Sequence, residues 1–200
     1  MKFNYTLFIG ILLLTISNNS YAQKELREAL PYKNKITIKK EDGSFQVAEL
    51  GNKEEVEQAQ TDKHYYWYHA DSIRHTQGAY KGKVLHGTYQ ELYPDKSLKV
   101  LGVFYRGLKS GQWRYMEPNG VLRRVSTWYL GEENGPYELY TEQGALKEKG
   151  RLLRGLKEGV IIQYAPQDSV KKTFTKYKHN EALTEEKVSW FDKLKLSLGF

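Results

Sequence analysis

Hydrophobic and polar positions along this 200-residue chain return with a long period. Gly87, Gly111, Gly135 and Gly159 stand 24 residues apart. Two residues after each comes a bulky side chain: Tyr89, Trp113, Tyr137 and Ile161. Eleven after comes an aliphatic (Leu98, Leu122, Leu146, Val170), and eighteen after come Tyr105, Tyr129, Leu153 and Tyr177. Between the bulky and aliphatic positions lie the turn-rich tetrapeptides PDKS, PNGV, EQGA and PQDS. Gly107, Gly131 and Gly155 precede the later glycines by four, giving GLKSG, GEENG and GLKEG. A strand, a turn rich in Pro, Asp, Asn or Gly, and a returning strand make each unit a β-hairpin. The GxxxG segments then turn the chain into the next hairpin, because glycine takes positive φ without steric cost. The expected fold is all-β: an antiparallel meander of tandem 24-residue hairpin repeats. At about 4.8 Å between strands, ten strands would span roughly 45 Å.

In such a meander Tyr65, Tyr89, Trp113, Tyr137 and Ile161 are expected to form a ladder on one face. Phe104 with Tyr105, and Trp128 with Tyr129, are sequence neighbours and point to opposite faces. Both faces therefore carry aromatic stripes, and an exposed aromatic stripe needs a use or a cover. A degraded unit, Tyr65 to Gly87, precedes the regular ones, its closing loop GKVLHG one residue longer. The last unit has Lys178-His179-Asn180 in place of its glycines. Divergent end units are expected of a stacked array, since they cap it.

The regular pattern is carried by GQWRYMEPNGVLRRVSTWYLGEENG and GPYELYTEQGALKEKGRLLRGLKEG. It resembles MORN-type repeats, in particular the bacterial variant labelled the YwqK-family antitoxin, over roughly Tyr65 to Asn180. That resemblance implies a β-hairpin array used for protein contact, scaffolding or membrane association.

Outside the repeats, KITIK (Lys35 to Lys39) and FQVAEL (Phe45 to Leu50), joined through Asp42-Gly43, read as another hairpin. KEEVEQAQ, Lys53 to Gln60, reads as a short polar helix. This flank, residues 23–62, is expected to pack over one end of the repeat region, residues 63–180. In the tail, residues 181–200, Thr184 reads as an N-cap, with Val188, Phe191, Leu194 and Leu198 at helical spacing before Gly199. A basic amphipathic helix is the preferred reading. Leu194, Leu196, Leu198 and Phe200 also alternate as a strand would.

The N-terminus adds a compartment. Lys2, the apolar run Leu7 to Ile16 and the small-x-small Ser20-Tyr21-Ala22 form a secretory signal over residues 1–22. The apolar run is too short to span a bilayer, which takes about 20 residues. The protein is expected in the periplasm or at the cell surface, where an antitoxin role would arise only if the signal went unused. Its removal takes one lysine and no acid from a chain of net charge +7. A mildly basic, interspersed charge suits a solvated surface and gives no nucleic-acid footprint. With no cysteine there are no disulfides or thiolate metal sites.

No catalytic chemistry stands out, and no cofactor is expected. His64, His69, His75 and His86 are spaced five, six and eleven apart, which does not force three onto one metal-binding face. Asp71, Ser72 and His75 have triad residue types but lie at a turn without a nucleophile elbow. Glu132 and Glu133 read as solvated turn acids. The sequence thus points to a non-catalytic interaction module whose candidate binding aromatics are Tyr89, Trp113, Tyr137, Phe104, Tyr105, Trp128 and Tyr129. Gly87, Gly107, Gly111, Gly131, Gly135, Gly155 and Gly159 are read as its turn glycines. The expected partner is another envelope protein; the alternative is a lipid surface or cell-wall glycan, met by aromatic stripes and the basic tail.

Overall fold

A computed structural model describes residues 34–51, 59–165 and 168–183. The expected signal (1–22), residues 53–58 of the polar helix expected over Lys53 to Gln60, and the expected tail helix (184–200) lie outside these residues. Among the described residues there is no helix. The strands are β1 (Lys35–Lys39), β2 (Phe45–Leu50), β3 (His64–His69), β4 (Ser72–Gln77), β5 (Lys83–Leu92), β6 (Leu98–Tyr105) and β7 (Leu108–Met116). They continue with β8 (Leu122–Tyr129), β9 (Glu132–Tyr140), β10 (Leu146–Leu153), β11 (Leu156–Ala165), β12 (Asp168–Lys178) and β13 (Glu181–Ala182). From β5 onward each strand pairs antiparallel with the next, and β2 and then β1 extend the sheet on the other side of β5.

Two kinds of turn separate the hairpins. At one end of the sheet, three-residue loops close with a residue of positive φ: Gly43 (φ 80), Lys96 (φ 69), Gly120 (φ 79) and Gly144 (φ 82). Side chains brace them: Asp42, Asp95 and Asn119 each accept the backbone N–H two residues on. Lys96 alone of these four carries a Cβ in the left-handed region, which is sterically disfavoured. Lys96→Gly is therefore expected to stabilise the protein by about 0.5–1 kcal/mol, read as a higher urea midpoint with an unchanged slope.

At the other end, two-residue turns have both residues at positive φ. These are Arg106-Gly107 (φ 50, 82), Leu130-Gly131 (φ 47, 81) and Arg154-Gly155 (φ 50, 79). That is the type I′ pattern, whose twist matches that of the flanking strands. The final turn lacks glycine yet has the same form, with His179 at φ 50 and Asn180 at φ 72.

The GxxxG segments thus divide their labour differently from the sequence expectation. Gly107, Gly131 and Gly155 are in the turns. Gly87, Gly111, Gly135 and Gly159 lie inside β5, β7, β9 and β11, all at positive φ. Around Gly111, β7 runs from Ser110 to Arg114 while β6 runs only from Val103 to Leu101. The same mismatch recurs at Gly135 and Gly159. These glycines form bulges, which bend a strand and increase its twist.

The bulges set the packing of one face, along a row in which large and small residues alternate. Ala48 pairs with Tyr89, and Tyr89 with Gly102. Ser126 lies between Trp113 and Tyr137, Gly150 faces Tyr137, and Ile161 faces Thr175. A Cβ at Gly102 would run into the Trp113 indole, and one at Gly150 into Ile161. Each large side chain lies across the small residue of the neighbouring strand, so Trp113 and Ile161 are almost completely buried, at 1% and 0% exposure.

Tyr65 is not part of this row. The degraded unit leaves the row: β3 pairs with β4, pairs with β5 only at Trp67–Val84 and Tyr68–Lys83, and donates the Tyr66 N–H to the Gly107 carbonyl in the turn after β6. The place beside β5 is taken by β2 from the flank. Tyr66, Tyr68 and Ile73 of the β3–β4 hairpin instead pack on the core of Ala48, Leu50, Leu85, Tyr89, Val100, Phe104 and Trp113. The expected roles are exchanged: the flank hairpin extends the sheet, and the first aromatic hairpin covers it. The physical reason is β5 itself, ten residues long, which bends at Gly87 (φ 106), where Glu49 accepts the Thr88 N–H. β2 pairs along one edge of β5 on both sides of this bend, at Leu85 and from Tyr89 to Leu92. β3 meets the opposite edge at Lys83 and Val84, beyond the end of β6, where the Tyr66 N–H donates to the Gly107 carbonyl and the Gly107 N–H to the Leu85 carbonyl.

Candidate interaction surface

The seven candidate aromatics divide between the faces. Tyr89, Phe104, Trp113 and Tyr137 are buried, and Trp128 is half-buried. Phe104 meets Tyr89 and Trp113 edge-on, at centroid distances of 5.3 and 5.1 Å. This arrangement suits the ring quadrupoles. Tyr66 covers Phe104 at 4.9 Å.

The polar groups of this face are tied to one another. The Tyr89 hydroxyl donates to Glu91 (2.6 Å) and accepts from Gln46 (2.8 Å). Burial, then the Glu91 hydrogen bond, pushes its pKa far above the ordinary value. The Tyr137 hydroxyl donates to Glu148 (2.6 Å), which also accepts from Lys157 (2.8 Å) and Gln163 (3.1 Å). Burial pushes the Glu148 carboxyl up, but these three donors outweigh it and hold the pKa below 4.5. Arg124 grips both oxygens of Glu133 at 2.8 Å.

Lys109 lies between two indoles. Its ammonium is 4.3 Å from the Trp113 centroid and 4.5 Å from that of Trp128. Burial lowers its pKa, against the pull of Glu133 and Glu91. The indole faces that would suit a cationic ligand are thus occupied by the chain's own lysine. The equivalent positions in the next two hairpins are Glu133 and Lys157, each paired across strands.

Tyr105 and Tyr129 are the candidates that remain open, at 53% and 63% exposure. They flank the two-residue turns, and Val103, Leu130, Leu153 and Leu156 are exposed beside them. Tyr105, Tyr129 and Leu153 end β6, β8 and β10, two strands or about 9.6 Å apart. Together they make an apolar rim along the turn end of the sheet, with Arg106 and Arg154 at its turns. The His86 ring lies 5.3 Å from Tyr105, and its Nδ1 accepts the Arg106 N–H. Burial, then Arg106, keeps the His86 pKa below 6.5.

The residues weighed for chemistry are engaged locally. His75 stacks on Tyr66 and lies 6.1 Å from His64. Asp71 accepts the Tyr68 hydroxyl, and the Ser72 hydroxyl donates to the His69 carbonyl. Glu132 pairs with Lys63 at 2.6 Å. Among the described residues no group of three His, Asp or Glu is placed to hold a metal ion.

Sequence reasoning passed over Gly102, Ser126 and Gly150, although their 24-residue spacing was a signal for small residues beneath the ladder. It also missed Lys109 and Glu148, whose roles depend on cross-strand neighbours, and the rim leucines. The fold defines a class, the antiparallel β-meander built of successive hairpins. No protein-family model matches the chain, and no curated protein matches it.

Proposed function

We propose that this chain is a non-catalytic interaction module of MORN-like 24-residue repeats. It is exported to the cell envelope by its N-terminal signal and holds another envelope protein along the rim at the two-residue turns. The observation that carries this reading is the exposure of Tyr105 and Tyr129 while the other candidate aromatics are covered. Tyrosine and arginine, as at Tyr105, Tyr129, Arg106 and Arg154, are residue types in which protein hot spots are enriched. The tied-up polar groups of the opposite face favour binding at the rim over the ladder.

The test is a photo-crosslinking residue at position 129 in intact cells, with position 112 on β7 as control. A stoichiometric protein adduct is expected from 129 only; equal capture from both sites, or none, would sink the rim. With the captured partner purified, Tyr105→Ser and Tyr129→Ser are each expected to cost about 2 kcal/mol of binding. Stability should change by no more than about 0.5 kcal/mol.

Arg106 and Arg154 beside exposed tyrosines favour one second reading, a rim lying on anionic lipid. Sedimentation with phosphatidylglycerol vesicles separates the two: Tyr129-dependent sedimentation of purified protein would replace the protein partner with the membrane.

A further inference from the structure

The other open feature is the outermost strand. β1 pairs with β2 alone among the described residues. The Lys40 N–H donates to the Ser44 carbonyl and the Leu50 N–H to the Asn34 carbonyl. In an antiparallel ladder this places the backbone groups of Ile36 and Ile38 toward β2 and those of Lys35, Thr37 and Lys39 outward. Among the described residues the outward side is therefore an unpaired row of donors and acceptors, a ready template for another strand.

The side chains along this edge are sorted by the strand's alternation. Lys35, Thr37 and Lys39 are exposed; Ile36 and Ile38 are half-buried. A groove runs along the edge, lined by Ile36, Thr37, Ile38, Lys39, Tyr68 and Asp71. Tyr68 and Asp71 come from the β3–β4 hairpin, which reaches the groove without closing it.

Charge decides what fits. Acids also stand nearby and keep their charge: Asp71 accepts the Tyr68 hydroxyl, Asp42 accepts the Ser44 hydroxyl, and Glu49, across from Lys35 on β2, accepts the Thr88 N–H. The attraction for an acidic strand therefore rests on Lys35 and Lys39, which stand on the edge strand itself. Glu41 sits exposed in the adjoining loop. No ion pair holds Lys35, Lys39 or Lys40 among the described residues. A second copy docking β1 against β1 would set lysine against lysine, which is unfavourable across strands. Edge lysines protect a sheet from its own kind in this way. The same lysines attract an acidic strand.

We infer that β1 accepts an extended segment of a partner protein as an additional strand. The segment alternates acidic residues, beside Lys35 and Lys39, with apolar residues over Ile36 and Ile38. Main-chain hydrogen bonds supply the affinity and the alternation supplies the specificity. This edge is separate from the rim, and either surface can fail without the other.

The experiment is a fluorescence-anisotropy titration of the full mature chain with two fluorescein-labelled peptides, Glu-Val-Glu-Val-Glu and Lys-Val-Lys-Val-Lys. Saturable binding of the acidic peptide is expected, at least about tenfold tighter than the basic one, a gap of about 1.4 kcal/mol. It should weaken in about 1 M salt, where the Debye length is about 3 Å. Thr37→Pro removes one outward N–H and leaves the bonds to β2 in place, since proline is tolerated on an edge. It is expected to lose at least about tenfold in affinity. The double variant Lys35→Glu with Lys39→Glu should bind the basic peptide better than the acidic one, and it decides the matter if Thr37→Pro does not fold. Tyr129→Ser, which alters the rim, should bind like the native chain. No saturation with either peptide, equal affinity for both, or a charge-reversed variant with unchanged preference would overturn the inference.

Discussion

Trp113→Ala is expected to cost about 3–5 kcal/mol, the range for truncating a large buried aromatic. Typical domains have only about 5–15 kcal/mol in total, so the variant should be near the limit of folding. The indole is 1% exposed. It lies over Gly102, meets Phe104 edge-on and carries the Lys109 ammonium on its face. Urea unfolding gives the loss directly. A companion substitution tests the geometry: Gly102→Ala alone should destabilise, because its Cβ runs into the indole. In the Trp113→Ala background the methyl enters vacated space, so its cost should vanish or change sign. The two substitutions should couple by about 0.5–3 kcal/mol. Strict additivity would mean that the ladder is not packed large over small.

The second large effect is expected at Glu148. Glu148→Ala removes a buried carboxylate that accepts from Tyr137, Lys157 and Gln163. The Tyr137 hydroxyl is left without an acceptor and Lys157 without its counter-ion. Breaking a buried pair in this way costs about 3 kcal/mol or more. Glu148→Gln keeps the shape and loses the charge, so it should cost less.

The same carboxylate gives the stability a direction in pH. Its folded pKa lies below the ordinary 4.5, so the folded protein binds fewer protons than the unfolded chain in that range. Its contribution is fully present above the unfolded value and is lost as pH falls through the folded one. His86 acts in the same sense at higher pH. Its pKa is held below 6.5, so stability should begin to fall as pH drops past the unfolded histidine value. Melting temperatures followed from pH 7 downward should therefore decline, and Glu148→Gln should flatten the decline below about pH 4.5. An unchanged acid limb in that variant would remove Glu148 as its cause.

Much of the sheet was legible along the chain because hairpins are local. Strands β6, β8 and β10 begin at Leu98, Leu122 and Leu146, the aliphatic positions of the repeat. Opposite facing of adjacent residues followed from the two-residue strand period: Phe104 is 2% exposed and Tyr105 53%. The role of the second glycine in each GxxxG was not legible. A glycine at positive φ serves a turn and a bulge equally, and only cross-strand register shows that Gly111, Gly135 and Gly159 are bulges.

The candidate site was legible in kind and illegible in place. Seven aromatics stood out by residue type, and the fold leaves Tyr105 and Tyr129 most open. Lys109 occupies the indole faces, and the β3–β4 hairpin covers the Tyr89–Phe104 end. Neither contact has a signature in the spacing.

Taken alone, then, the sequence determined the all-β class, the hairpins from β5 onward and which residues share a face, since turn residues and side-chain alternation act within a few residues of themselves. Only the tertiary structure decided that β2 rather than β4 pairs along β5, and that the ladder is covered while the rim is open. Those outcomes depend on strands far apart in sequence meeting on the two edges of β5. They are settled by the length of β5, which carries β2 on one edge and β6 and then β3 on the other, and by the apolar surface buried when β3 and β4 fold over, neither of which is a property of any one segment.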